Sequence, residues 1–145
     1  MAEGTRIAIC GGPRVGKTSF ARSLASEHGA PAVSTDDFMG APWPAIPDLV
    51  LAQLRNLPAW ILEDTQAARV LRRWLNEPAA NPGLTCVYWL EKPLVELRDG
   101  QASMAKGVAT VFADVRPKLY KLGVPVFPGL PPDFLRTPPS ARPVG

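Results

Sequence analysis

An eight-residue stretch near the start of the chain has the residue types of a phosphate-binding loop: residues 11–18 read GGPRVGKT, a G-x-x-x-x-G-K-T pattern. A short apolar run precedes it, and apolar residues at helical spacing follow it. The glycines allow backbone N–H groups to turn inward, and the helix adds the positive end of its dipole. In this motif Lys17 reaches the β- and γ-phosphates, and the hydroxyl of Thr18 binds Mg²⁺. The sequence therefore predicts a nucleoside triphosphate site with these contacts: Gly11, Gly12, Pro13, Arg14, Val15, Gly16, Lys17, Thr18 and Ser19.

A pair of adjacent carboxylates, Asp36 and Asp37, follows the second apolar run. Charged side chains are rarely placed among apolar ones without a partner or a task. At the end of a parallel strand the pair would lie at the same sheet edge as the P-loop, where one carboxylate can accept the proton of an attacking hydroxyl. Adjacent residues leaving a strand point in different directions, so we expect one Asp to face the acceptor. The alternative is that one of them caps a helix or an Asx-turn.

A second acidic pair, Glu63 and Asp64, ends the third apolar run. Either residue can hold Mg²⁺ through water, or can serve as an acid favoured at the start of the following helix. That helix carries three arginines, of which Arg69 is nearest the strand end and is the candidate for an acceptor phosphate. A solvated helix face is the default for such arginines.

Three further side chains are candidates for the acceptor side and for a lid. Trp43 lies between two prolines near the Asp pair, where its ring can stack on a base or can anchor the loop. Arg98 and Lys106 flank or lie on the long late helix, from which a lid could close these cations over a transferring phosphoryl group. We therefore interpret Lys17, Asp36, Asp37, Arg98 and Lys106 as the catalytic set.

Five short apolar runs alternate with helical patterns, which favours a parallel α/β sheet with helices on both faces and right-handed crossovers. Ligands then bind outside the carboxyl ends of the strands. One domain over 1–127 and a proline-rich tail over 128–145, extended or disordered, are expected. Pro117 predicts a kink or restart in the last helix, whose apolar stripe runs from Met104 to Leu122. The predicted strands are 5–10, 31–35, 59–64, 85–90 and 123–127.

The composition excludes several classes of protein. With 145 residues, 46% hydrophobic and 20% charged, the chain has the size and balance of one globular domain. It has no apolar run of the roughly 20 residues that span a bilayer and no secretory signal, so we expect a cytoplasmic protein that is not a membrane partner. Two cysteines and one histidine make neither a disulfide framework nor a metal cluster, so metal would arrive with a substrate. The net charge of +3 is compatible with a polyanion without demonstrating one.

A P-loop alone leaves three classes open: a kinase, a hydrolytic switch or motor, and a non-catalytic nucleotide-binding module. The N-K-x-D pattern expected of a guanine-specific switch does not occur in the sequence. A motor normally needs more chain for its sensor and lid elements. The short length and the regular βα alternation therefore favour a small kinase.

Several segments resemble a known family. GGPRVGKTSFARSL followed by STDDFM resembles the P-loop kinases of the polynucleotide kinase and nucleotide kinase group. AWILEDTQAARVLRRWL and LRDGQASMAKGVATVF look like segments of small phage-encoded kinases, so the resemblance covers about residues 5–127. It implies Asp36 as general base. In polynucleotide kinases an arginine typically follows the Asp pair and binds the substrate phosphate, whereas this chain has Met39 nearby.

The resemblance implies an ATP- and Mg²⁺-dependent kinase, in the host cytoplasm if it is phage-encoded. Its partner would be a nucleotide or DNA substrate, and no obligate protein partner is evident. Among phage kinases, those that phosphorylate 5-hydroxymethyluridine in DNA during thymidine hypermodification are the preferred class, since a base carbinol requires no arginine for a terminal phosphate. The alternatives are a free nucleoside or nucleoside monophosphate kinase, and an acceptor-independent P-loop ATPase.

Overall fold

The chain folds around one parallel β-sheet. The computed structural model describes residues 4–13, 16–34, 38, 40–93 and 95–131. Within these ranges five strands lie in the order β2-β3-β1-β4-β5, all paired in parallel, which confirms the predicted α/β class. The P-loop strand is therefore central, between β3 and β4. The strands are β1 (Arg6–Gly11), β2 (Ala32–Val33), β3 (Trp60–Asp64), β4 (Cys86–Leu90) and β5 (Val126–Pro128).

Helices cover both faces of the sheet, as expected. Alternate residues of β1 point to opposite faces: Ile7 and Ile9 pack with the apolar residues of α1, whereas Ala8 and Cys10 pack with those of α2, α3 and α4. A short 3₁₀ turn, Trp43–Ala45, leads directly into α2. The helices are α1 (Lys17–His28), α2 (Ile46–Arg55), α3 (Ala67–Leu75) and α4 (Asp99–Lys121).

Helix α4 differs from the expectation at Pro117, because the helix continues through this residue to Lys121. An internal proline costs a helix about 3 kcal/mol through its lost hydrogen bond and its clash with the preceding turn. The flanking Val115 and Leu119 are fully buried in the core that α4 shares with α3 and the sheet, and this packing holds the helix together. The apolar stripe is also shorter than predicted, since Met104 and Leu122 are exposed.

The two edge strands differ in length or position from their predictions. Of the predicted 31–35 strand, residues 31–34 are described, and within them the strand that pairs with β3 consists of Ala32 and Val33. An edge strand has one partner strand, so fewer hydrogen bonds keep its ends extended. β5 begins at Val126 and ends at Pro128, one residue past the predicted domain boundary. The tail beyond residue 131 lies outside the described residues.

Both cysteines are buried and free. Burial raises the pKa of Cys10 to about 12 and that of Cys86 to about 11. Such thiols stay protonated at neutral pH and are poor nucleophiles. In the part of the chain that the structure describes, no helix combines the length and the apolarity needed to cross a membrane.

Candidate active site at the carboxyl edge of the sheet

The P-loop connects the central strand to α1. Gly16 has a φ of +91°, a left-handed conformation that non-glycine residues rarely adopt, and it turns the loop into the helix. Gly16 is the N-cap residue of α1 and has no side chain that could cap the helix, and the first turn of α1, which is fully described, contains no acidic residue. The first N–H groups of α1 and the positive end of its dipole therefore remain available to an anion. Pro13 and the exposed Ser19 flank this loop, whereas Arg14 and Val15 lie outside the described residues.

Lys17 is buried at the start of α1, with 8% of its surface exposed. Its Nζ donates a hydrogen bond to the carbonyl oxygen of Gly12, so that the ammonium lies along the loop. Burial lowers the pKa of Lys17, while the nearby charges of Glu63 and Asp64 act in the opposite direction. A bound phosphate adds negative charge at this position and favours the protonated form further. Lys17 is thus placed to neutralise phosphate oxygens.

Glu63 and Thr18 bring two oxygen ligands together across the cleft. The Thr18 hydroxyl donates to Glu63 Oε1 at 3.4 Å, and Glu63 is only 8% exposed. Glu63 pairs with Ile9 in the ladder between β3 and β1, which fixes it beside the P-loop. Mg²⁺ prefers one or two carboxylates, phosphates and waters in an octahedral arrangement. A hydroxyl and a carboxylate converging below the phosphate loop fit this ion.

Asp64 has a different set of contacts. Its Oδ1 accepts hydrogen bonds from the backbone N–H of Gln66 at 3.0 Å and from the Thr65 hydroxyl at 3.1 Å. Its Oδ2 accepts one from the Ser34 hydroxyl at 3.3 Å. These contacts match the alternative interpretation of an acid that stabilises the start of the next helix. A role for Asp64 in holding Mg²⁺ stays a prediction.

The contact between Ser34 and Asp64 also fixes the end of β2. Ser34 follows Val33, so the chain leaves β2 at the same edge of the sheet as the P-loop. The predicted base Asp36 and its neighbour Asp37 come directly after this point in the sequence. Both of them, and Met39, lie outside the described residues.

Helix α4 packs directly on the P-loop. A Cβ atom placed on Gly12 would lie 2.9 Å from Ala105 Cβ and 3.0 Å from Ala105 Cα, so only glycine permits this approach. The predicted lid residue Lys106 is adjacent to Ala105 and is exposed. Arg98 is the N-cap residue of α4, and its side chain is exposed as well. The structure therefore brings Lys106 near the P-loop and places Arg98 at the start of the same helix.

The two candidate substrate residues line one cavity. Trp43, with 58% of its surface exposed, and the half-buried Arg69 both border a cavity of 440 Å³ between the 3₁₀ turn and α3. We call it the arginine cavity, and its polar and aromatic lining residues are Trp43, Gln66, Arg69, Arg72, Arg73 and Asn76.

Part of this cavity was not expected from the sequence. Arg72 and Arg73 were assigned by default to a solvated face, and Gln66 and Asn76 were not singled out. The helical spacing of positions 66, 69, 73 and 76 places these polar side chains on one face of α3, a signal that could have identified them.

Comparisons with known proteins complete the description of the site. No protein-family model matches this sequence, and none of the curated proteins matches it. Among solved structures, the chain is similar to the shikimate kinase from Acinetobacter baumannii in complex with shikimate. The two sequences are 16% identical, and the similarity covers 85% of this chain and 82% of that chain, with a TM-score of 0.49. We therefore base the functional assignment on the residues of this chain.

Proposed function

We propose that this protein is an ATP- and Mg²⁺-dependent kinase that transfers the γ-phosphate to a hydroxyl of a nucleotide or nucleic acid. The observation that carries the proposal is the arrangement at one edge of the sheet. Buried Lys17 and the Thr18–Glu63 pair lie beside the P-loop. The arginine cavity is close by, since its lining residue Gln66 follows Asp64 by two positions. One half of this arrangement suits a triphosphate, and the other half suits an acceptor.

Each residue has a definite task in the proposed reaction. Backbone N–H groups of the P-loop and Lys17 hold the β- and γ-phosphates, while Thr18 and Glu63 hold Mg²⁺. The bound ion neutralises charge on the phosphate oxygens. Asp36 takes the proton of the acceptor hydroxyl, whose oxygen bonds to the γ-phosphorus as the bond to the ADP oxygen breaks.

Other residues support this step. Asp37 orients or caps the loop that carries Asp36, and Asp64 holds the ends of β2 and β3 together. Lys106 and Arg98 are exposed on α4, the helix that packs on the P-loop, and they add positive charge near the transferring group.

The preferred substrate is 5-hydroxymethyluridine within phage DNA. Met39 stands near the position where polynucleotide kinases carry a phosphate-binding arginine, which disfavours phosphorylation of a strand end. The net charge of +3 and the exposed Trp43 suit a nucleic-acid strand with an accessible base. A nucleoside monophosphate kinase is the second candidate, because the arginine cavity also suits a single phosphate.

A label-transfer experiment tests the assignment. The protein is incubated with γ-labelled ATP and separate samples of 5-hydroxymethyl-2′-deoxyuridine, its 5′-monophosphate, ordinary DNA and DNA containing 5-hydroxymethyluracil. We expect label in the modified DNA and none in ordinary DNA. Label only in free phosphate would refute the kinase assignment, whereas label in the monophosphate but not in DNA would replace the preferred substrate with the second candidate.

A further inference from the structure

We infer that the arginine cavity binds a nucleotide unit of the acceptor, with its phosphate on Arg69 and Arg72 and its base on Trp43. This inference rests on the proposed kinase function and narrows it, because it requires an acceptor that carries a phosphate beside its base. A free nucleoside lacks that phosphate. The shared ligand chemistry is that of a mononucleotide or of one unit in a strand.

The charge of the cavity is the first observation. Arg73 is neutralised by Asp48 through two parallel hydrogen bonds, from Nε to Oδ1 and from Nη2 to Oδ2, each 2.7 Å long. Arg69 and Arg72 are half-buried and have no acidic partner among the residues that the structure describes. Two guanidinium groups therefore face one cavity without compensation, and their planar forks match the oxygens of a phosphate.

The second observation is an unsatisfied amide at the same place. Gln66 lines the cavity with only 2% of its surface exposed, and its Nε2 has no hydrogen-bond partner in the described part of the chain. A buried donor without a partner costs about 1–3 kcal/mol. Because this nitrogen has almost no exposed surface, an acceptor oxygen of a ligand would satisfy it once the amide turns towards the cavity. A phosphate or a base carbonyl supplies such an oxygen.

The third observation is the aromatic rim. Trp43 is the first residue of the 3₁₀ turn. Prolines precede and follow it, and they limit the motion of the backbone that carries the ring. More than half of its surface is exposed, whereas the other three tryptophans are buried. An exposed indole beside two arginines suits a stacking platform next to a phosphate site. The volume of 440 Å³ falls within the usual range for small-molecule sites, about 300–1,000 Å³.

The cavity is also connected to the phosphoryl-transfer edge. The backbone N–H of Gln66 binds Asp64 at the end of β3. Arg69 Nη2 lies 3.8 Å from the position that a Cβ atom on Gly107 would take. Gly107 follows Ala105, the residue that packs on the P-loop, by two positions in α4. A nucleotide unit held in the cavity is thereby placed beside the P-loop, so it belongs to the acceptor rather than to a remote regulatory site.

Binding without ATP tests this inference separately from catalysis. The probes are 5-hydroxymethyl-2′-deoxyuridine, its 5′-monophosphate and a short single strand containing the same nucleotide, each titrated calorimetrically. The variants are Arg72→Gln and Arg69→Gln. Arg22→Gln, on the exposed side of α1 across the sheet, is the matched control because it removes the same charge elsewhere.

We expect each cavity variant to weaken binding of the monophosphate or the strand about tenfold or more and to leave nucleoside binding unchanged, while the control changes neither. In the cavity variants, the slope of log K for strand binding against log salt concentration should become shallower by the equivalent of about one phosphate contact. Binding of the monophosphate alone, or of the strand alone, identifies which source supplies the nucleotide unit and supports the inference. Three results would overturn the inference even if label transfer shows kinase activity. The first is equal binding by Arg72→Gln and Arg22→Gln, the second is nucleoside binding as tight as monophosphate binding, and the third is no binding by the wild-type protein.

Discussion

The proposed donor half and the proposed acceptor half of the cleft are built in different ways. The donor half consists of the P-loop, the first turn of α1 and the end of β3, and its charged side chains Lys17 and Glu63 are each 8% exposed. The acceptor half consists of side chains on a turn and on α3, and its aromatic residue Trp43 is 58% exposed. The first half depends on backbone conformation and burial, the second on the packing of surface side chains.

This difference indicates which half of the cleft can change its sequence without loss of the fold. A backbone cradle recognises any triphosphate in the same way, and it cannot change without altering the central strand. Arg73, which lines the arginine cavity, is held by an exposed ion pair with Asp48. Exposed pairs contribute at most about 1 kcal/mol each, so acceptor preference can change with little loss of stability.

The largest expected effect lies on the acceptor side. Asp36→Asn removes the proposed general base, and kcat should fall by about 10²–10⁴-fold while ATP affinity stays constant. Steady-state label transfer and ATP titration measure the two quantities. Asp37→Asn is the matched control, and its kcat should fall much less. Near-normal turnover of Asp36→Asn would reject Asp36 as the base.

Loss of the lysine in the donor half should lower kcat almost as strongly. Lys17→Met keeps the buried aliphatic stem and removes the charge, so kcat should fall by at least about 100-fold. Thermal unfolding should stay close to that of wild type, because burial already disfavours the charged form of Lys17. Transfer rates within a few-fold of wild type would contradict the role given to this residue.

Two glycines give a matched pair for the contact between α4 and the P-loop. Gly12→Ala places a methyl group 2.9 Å from Ala105 Cβ, and the resulting overpacking should cost about 1–3 kcal/mol of stability and weaken ATP binding. Gly107→Ala is the control, since among the described residues its methyl group meets Arg69 Nη2 alone, at an ordinary 3.8 Å. That variant should be stabilised by up to about 1 kcal/mol through its higher helix propensity. Denaturant unfolding measures both; equal stability of the two variants would refute the close contact.

The smallest effect is expected at the wall of the arginine cavity. Asp48→Asn releases Arg73 and should change the free energy of unfolding by no more than about 1 kcal/mol. The KM for the acceptor should shift while the KM for ATP does not, because Arg73 lines only the acceptor cavity among the sites described. An equal change in both constants would show that the two halves are not independent.

The donor half could be predicted from the sequence because its residues are nearly contiguous. The pattern GGPRVGKT specified the loop, and a helix follows it, from Lys17 to His28, as the spacing of the apolar residues indicated. Glu63 was identified from its position at a strand end, and β3 places it against Thr18. Local sequence and local geometry coincide here.

The acceptor half could be predicted only in part. Trp43 and Arg69 were identified separately, but their meeting in one cavity depends on how α2 packs on α3, which no local pattern encodes. The hydrogen bond that Ser34 donates to Asp64 likewise joins two segments that lie 30 residues apart in the sequence. The continuity of α4 through Pro117 depends on burial of Val115 and Leu119, so tertiary packing outweighs the local preference.

The central position of β1 makes amide hydrogen exchange a sensor of nucleotide binding. This strand is hydrogen-bonded to β3 on one side and β4 on the other, so its amides should exchange only when the whole sheet opens. A nucleotide bound at the loop that ends β1 stabilises the folded state, by about 2.7 kcal/mol at one hundred times its Kd. Deuterium uptake in β1 should therefore slow by about 100-fold, a readout of ligand affinity that needs no turnover.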